Sequence, residues 1–252
     1  GVGAIPASFP KGYNGFYCMK YEITQGQYVD FLNTLTSDQF NNRYHIGAAN
    51  RYSLSGTWTN ITSSLPYVAM NFMSWADFCA YLDWAALRPM TEMEFEKICR
   101  GDQTPVALEK AWGTSLNVYP TTIINSGQFN EYASDIITAG RGIINSSQSG
   151  LDAPLRVGYA ATNATDRLQA GATYYGVMEM SGNILEFCIN ACQLTGLAYT
   201  GIPGDGELTE TPNAGFANQP NWPNPTSVGV TQGGGGRGCA FVNSQAICQV
   251  SN

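Results

Sequence analysis

Apolar residues return at helical spacing in three stretches of the first hundred positions. Tyr28, Phe31, Leu32 and Leu35 fall at i, i+3, i+4 and i+7, which predicts a helix of about three turns. Thr24 and Gln27 ahead of them have the spacing of a capping box. Residues 16–23 alternate and predict a strand entering that helix. Ser74 is a second N-cap, followed by an apolar stripe of Trp75, Phe78, Cys79 and Leu82. Thr91 and Glu94 make a third capping box, and Gly101 is placed to stop that helix. Between the first two helices, residues 36–66 are polar and aperiodic and read as a long surface loop, with residues 66–71 extended beyond it. After Gly101 only short extended pieces remain, punctuated by Gly, Pro, Asn and Ser. The tract 233–236 is the one low-complexity segment, too short for a linker, and no repeat occurs. These features predict an α+β fold with little regular secondary structure and long loops. They form one domain over residues 1–252, with residues 1–15 an extended N-terminal arm.

Charge narrows the picture. Charged residues are 12% of the chain, about half the usual share for a soluble protein, against 44% hydrophobic residues. The surface is therefore built largely from neutral polar groups, as in secreted proteins or permanent assemblies. A net charge of −7 with scattered Lys and Arg leaves no footprint for a phosphate backbone, so nucleic acid is excluded as a partner. No apolar run is long enough to span a membrane. Seven cysteines without a Cys-x-x-Cys pair point to an oxidising compartment, and hence to an extracellular or cell-surface protein.

Five blocks in order resemble the formylglycine-generating enzyme, or sulfatase-modifying factor, superfamily. They are Met19-Lys20-Tyr21-Glu22-Ile23-Thr24 with Gln27-Tyr28; Met73-Ser74-Trp75 through Arg88-Pro89-Met90-Thr91-Glu92 to Arg100-Gly101; Trp112-Gly113; Tyr175-Gly176 through Gly182-Asn183 with Glu186; and Arg237-Gly238 through Cys248 to Asn252. The resemblance implies a C-type-lectin-like fold. It leaves function open, because the superfamily includes copper oxidases, iron-dependent sulfoxide synthases and non-catalytic surface proteins.

The site residues argue against catalysis. The copper oxidases hold Cu(I) between two cysteines of the closing block, closer together than Cys239 and Cys248 are here. The expected role of this pair is a disulfide or two buried thiols, and Cys188 and Cys192 are further disulfide candidates. The iron branch needs three histidines, whereas His45 is the single one and reads as a surface residue. Glu92, Glu94 and Glu96 could in principle form an acid/base pair, but Glu94 is already used in the capping box. Calcium is the one cofactor that the resemblance implies, through an Asn-x-x-Glu unit matched by Asn183 and Glu186, with Asn125 nearest to a second site. In the alternative reading Asn183 makes a turn and Glu186 pairs with an arginine. Tyr13, Tyr17, Tyr21, Tyr174 and Tyr175 read as core in preference to a carbohydrate-stacking surface. Asn60, Asn145 and Asn163 fit the glycosylation pattern.

The chain is therefore expected to be a non-catalytic extracellular module, structural or ligand-binding, with a copper oxidase and an adhesin or receptor-binding domain as alternatives. Possible ligands are a carbohydrate or a protein. Compared with the family's closing block the chain stops early. This exposes the edge of the strand expected at 16–23, which residues 1–10 of a neighbour could complete to build a homo-oligomer or fibre. The alternative is that the chain is cut from a longer protein.

Overall fold

The computed structural model describes residues 3–47, 49–137, 142–147, 150–163, 165–223 and 232–251. Four helices near the N-terminal side begin in the same way. α1 (Gln25–Thr34), α2 (Ser37–Arg43), α3 (Trp75–Trp84) and α4 (Glu92–Arg100) are each opened by a reciprocal capping box, at Thr24/Gln27, Thr36/Gln39, Ser74/Asp77 and Thr91/Glu94. Each box satisfies two backbone donors that a helix start otherwise leaves unpaired. Gly101, at φ 69°, ends α4 as expected.

α1 and α3 pack through aromatic rings, with Phe31 5.8 Å from Tyr81 and 5.4 Å from Trp84 between ring centroids. Their buried faces, with Tyr28, Leu32, Trp75, Cys79 and Leu82, form the largest apolar cluster. α3 is buried nearly all round, and two of its acids are buried too. Asp77 caps the helix and meets Arg43 at 2.8 Å, while Asp83 accepts from the backbone of Asp205 and Asn218.

The sheets are small. β1 (Leu54–Thr57) and β2 (Asn60–Ser63) form an antiparallel hairpin, with Leu54 opposite Ser63. β3 (Met90–Thr91) runs straight into α4, so Thr91 is both strand end and N-cap. Further along, β4 (Asn117–Val118) pairs in parallel with β7 (Gly142–Ile143), and β5 (Ile123–Ile124) pairs with β6 (Tyr132–Ala133) antiparallel. β8 (Glu186–Ile189) precedes a single helical turn, α5 (Leu194–Leu197), and β9 (Gly234–Arg237). β8 is the middle strand of three, parallel to β3 and antiparallel to β9.

Three expectations need correction. Residues 36–66 are not a bare loop, because they contain α2 and the β1–β2 hairpin. Asn33 of α1 clamps that hairpin, accepting from the Ile61 N–H and donating to its carbonyl at 2.9 Å each. Residues 16–23 are extended but form no strand; their backbone is held at separate points, Lys20 O by Met178 N and Ile23 O by Met70 N. The N-terminal arm does not reach outwards along its whole length. Phe9 N–H donates to Pro6 O in a turn, and the Phe9 ring is 2% exposed within the main core. Pro10 O accepts from the Thr91 hydroxyl at 2.8 Å. An arm that seats a core aromatic in its own chain is not free to act as a donor strand.

Phe9→Ala is accordingly expected to destabilise the chain by about 3 to 5 kcal/mol, the usual range for emptying a buried Phe site. Equilibrium urea denaturation measures this, and an unchanged midpoint would show that the arm is not part of the fold.

Candidate functional site

The tract 234–238 forms a floor on which other side chains lie. Side chains alternate along a strand, so Gly234, Gly236 and the following Gly238 point to the same side of β9. A Cβ at Gly234 would lie 3.3 Å from the Trp75 ring, and one at Gly236 would lie 2.6 Å from Leu185 Cδ2. One at Gly238 would overlap the Glu186 carboxylate, and the φ of 64° there favours glycine as well. On the other side of the strand Arg237 bonds Glu92 at 2.6 Å, which ties β9 to the start of α4.

Leu185 and Glu186, which lie against this strand, also line an apolar pocket of about 330 Å³. Six of the seven methionines line it: Met19, Met70, Met73, Met90, Met178 and Met180. Phe72, Phe78, Phe187 and Phe241 add aromatic rings. Tyr21, Phe72, Leu185 and Cys18 combine pocket lining with solvent exposure and so form its rim.

Three acids lie at or beneath the pocket, Glu179 and Glu186 buried and Glu22 half-buried. Glu22 accepts from Ile184 N at 2.9 Å and from Asn183 Nδ2 at 2.6 Å. Glu179, at φ 59°, accepts twice from Gly158 N at 3.0 Å. Glu186 is 8% exposed, and neither carboxylate oxygen has a hydrogen-bond partner. Desolvation is the largest influence on all three and holds each carboxyl above the usual range, Glu179 at about 8. Mutual repulsion adds to the effect at Glu22 and Glu186. Cys18 keeps contact with solvent, but crowding by its neighbours, then Glu186 and Glu94, pushes its thiol up to about 11. It is a protonated thiol and a poor nucleophile at neutral pH.

Asn183 adopts the expected turn, at φ 61°. Its side-chain oxygen accepts from Leu155 N and its carbonyl from Phe241 N, both at 2.7 Å. Glu186 pairs with no arginine. Calcium needs six to eight oxygens, and here the fit is one-sided: Glu186 supplies a free carboxylate, while both Asn183 oxygens are engaged. Asn125 lies in the turn joining β5 to β6, exposed, with its carbonyl bonded to Gln128 N, and does not line the pocket. Among the described residues no group of three or more His, Cys, Asp or Glu side chains could hold a metal ion.

Of the four disulfide candidates only Cys239 and Cys248 are joined, with Cα atoms 4.7 Å apart. Both are fully buried in a cluster with Trp112 and Ile144. Cys188 is a buried thiol and Cys192 an exposed one. Glu92, Glu94 and Glu96 serve as arginine partners, to Arg237, Arg88 and Arg100. His45 is partly exposed, its Nε2 2.8 Å from Phe72 O. The five tyrosines expected in the core are exposed instead, from Tyr21 at 38% to Tyr17, which is fully open. Asn145 is buried, which rules it out as a glycan acceptor in the folded chain, whereas Asn60 and Asn163 are exposed. Sequence reasoning missed Glu22, Glu179 and the methionine lining as site residues. The signal was the apolar Met70/Met73 and Met178/Met180 spacing beside quoted motif positions.

The family model for the sulfatase-modifying factor enzyme 1-like domain matches residues 7–249. No curated protein matches the chain closely enough to count as a relative. Among the described residues no helix is long and apolar enough to cross a membrane.

The acid cluster fixes the sign of a pH dependence. A carboxyl held above its unfolded value of 4.5 makes the folded chain bind more protons than the unfolded one. The stability it contributes is complete below about pH 4.5 and is lost as pH rises through the folded value, near 8 for Glu179. The urea midpoint should therefore fall between pH 5 and pH 8, and Glu186→Gln should reduce that fall. A midpoint that is flat or rising across this window contradicts the assignment.

Proposed function

Since the chain belongs to the sulfatase-modifying factor enzyme 1-like family, we propose that it is a non-catalytic, extracellular ligand-binding member that uses the methionine-lined pocket as its binding site. The single observation that carries this reading is the separation of the closing-block sulfurs from any accessible site. Cys239 and Cys248 are bonded to each other and enclosed by Trp112 and Ile144, and neither lines the pocket. A copper oxidase needs two thiolates that both metal and substrate can reach. The pocket itself offers no nucleophile–base pair, since Cys18 is held protonated and no histidine lines it.

What the pocket does offer is the usual make-up of a binding site: a concave apolar lining with a few polar atoms and carboxyls of raised pKa. Methionine suits such a role because its side chain is flexible and polarizable. The buried disulfide agrees with an oxidising compartment. Docking of Phe9 favours the ligand-binding form of this reading over a fibre joined by the N-terminal arm. No step of it passes through calcium.

The double variant Cys239→Ser/Cys248→Ser is expected to lose about 2 to 3 kcal/mol of stability, the loop-entropy value for so short a ring, and no oxidase activity. Copper-dependent oxidation of a Cys-x-Pro-x-Arg peptide by the unmodified chain, abolished in the double variant, would overturn the proposal.

A further inference from the structure

The depth of the pocket and its mouth differ in polarity. Met70, Leu82, Met178, Met180 and Phe241 are buried and give the depth a surface of carbon and sulfur. The polar side-chain atoms of the lining are withdrawn from it. The Glu186 carboxylate oxygens and Asn71 Oδ1 are enclosed beneath the surface, where a ligand does not touch them. Glu22 accepts from Asn183 Nδ2 and Ile184 N, and the Cys18 thiol is turned to the Met19 carbonyl at 3.3 Å. A polar atom carried into this depth loses its water and gains no partner, which is costly. The mouth has a different character. Among the described lining residues there is no Lys or Arg, but Lys20 stands between two of them, Met19 and Tyr21. Its carbonyl accepts from the N–H of Met178, also on the lining, at 2.9 Å, which fixes this backbone at the edge of the pocket. Its ammonium lies 5.4 Å from the centre of the Tyr21 ring on the rim. Lys20 is exposed and, among the described residues, makes no salt bridge. Burial holds the Glu22 and Glu186 carboxyls well above the usual range and favours their neutral form, so the standing charge at the mouth is that ammonium.

We infer that the pocket binds a fatty acid, with an unbranched alkyl chain inserted among the methionines and its carboxylate outside, at Lys20. This rests on the ligand-binding reading above and specifies its ligand class. The end of the ligand that enters carries no polar atom, because the depth has none to offer it. Methionine side chains are unbranched and flexible and adjust to a chain that is itself flexible. A pocket of about 330 Å³ lies within the range of small-molecule sites. The lining alone selects for hydrocarbon, and the unpaired ammonium beside Tyr21 selects an anionic head over a cationic one.

The methionines supply the measurement. Six line the pocket and Met93 does not, so in a chain labelled at the methionine methyl carbons Met93 is an internal reference. Titration with n-decanoate should shift the pocket methyl resonances saturably and leave that of Met93 in place. Octanoate, shorter by two CH₂ groups, should bind about tenfold more weakly. 10-Hydroxydecanoate, which carries a hydroxyl into the depth, should also lose about tenfold. n-Decylammonium, with the opposite head charge, should bind about two- to fivefold more weakly than decanoate, the range for an exposed ion pair. Lys20→Gln replaces an exposed side chain and should remove that preference while the decanoate shifts persist. Equal binding of decanoate and 10-hydroxydecanoate, or no gain from octanoate to decanoate, would refute the inserted alkyl chain. Decylammonium binding as tightly as decanoate to the unmodified chain would refute the carboxylate. Absence of shifts with all four would refute the pocket reading itself. Shifts from phosphatidylglycerol vesicles without shifts from decanoate would place the alkyl chain in a membrane and overturn the free-acid assignment.

Discussion

Alternate glycines on one side of β9 let three side chains rest directly on the strand backbone, and the site depends on that close approach. Trp75 of α3, Leu185 and Glu186 occupy the space that Cβ atoms at Gly234, Gly236 and Gly238 would fill. Trp75 is fully buried at the head of α3, so the same glycine strand that carries Leu185 and Glu186 also sets where α3 sits against β8 and β9. Arg237, the non-glycine residue within this run, faces the other way and fastens the strand to α4 through Glu92. The backbone Thr91 shares between β3 and α4 then carries this geometry to the N-terminal arm, through the hydroxyl bond to Pro10.

Placing Glu186 in that space has an energetic consequence. Removing a carboxylate from water without a partner opposes folding, and here two further acids, half-buried Glu22 and buried Glu179, lie nearby. Glu22 and Glu179 are each held by two backbone or amide donor contacts, so their burial is partly compensated. Glu186 is not compensated. Groups left unsatisfied in an otherwise well-bonded interior concentrate where a protein binds something. The neighbouring apolar and aromatic walls strengthen any charge pairing formed there, because water is largely excluded. Burial of this one carboxyl thus links the packing of β8 against β9 to the pocket that Glu186 lines.

The helices with long apolar stripes were legible because local chemistry fixes their starts. Thr24, Ser74 and Thr91 cap as their spacing predicts, and Gly101 stops α4 where expected. The same capping spacing at Thr36 and Gln39 marks α2, whose seven residues show too short a stripe to register as periodic. The β1–β2 hairpin turns at Trp58 and Thr59, with Thr59 at φ 65°, and lacks the Asn-Gly or Asp-Gly signal that identifies tight hairpins. Tyr13, Tyr17 and Tyr175 were expected inside on residue type alone, and aromatic character does not determine burial. Family blocks located the Asn183–Glu186 turn, but which oxygens remain free there depends on Leu155, Phe241 and Glu22, residues distant in sequence. The pocket was hidden for the same reason: its methionines come from four separate segments.

The central claim is that burial holds the Glu186 carboxyl, on the lining of the methionine-rich pocket, in its neutral form, and its own titration tests that most directly. With the glutamate side-chain carboxyl carbons labelled and Glu186 assigned by its Gln variant, the account predicts a Glu186 titration well above the ordinary carboxylate range in the free chain. An ordinary carboxylate titration in the free chain would contradict the account.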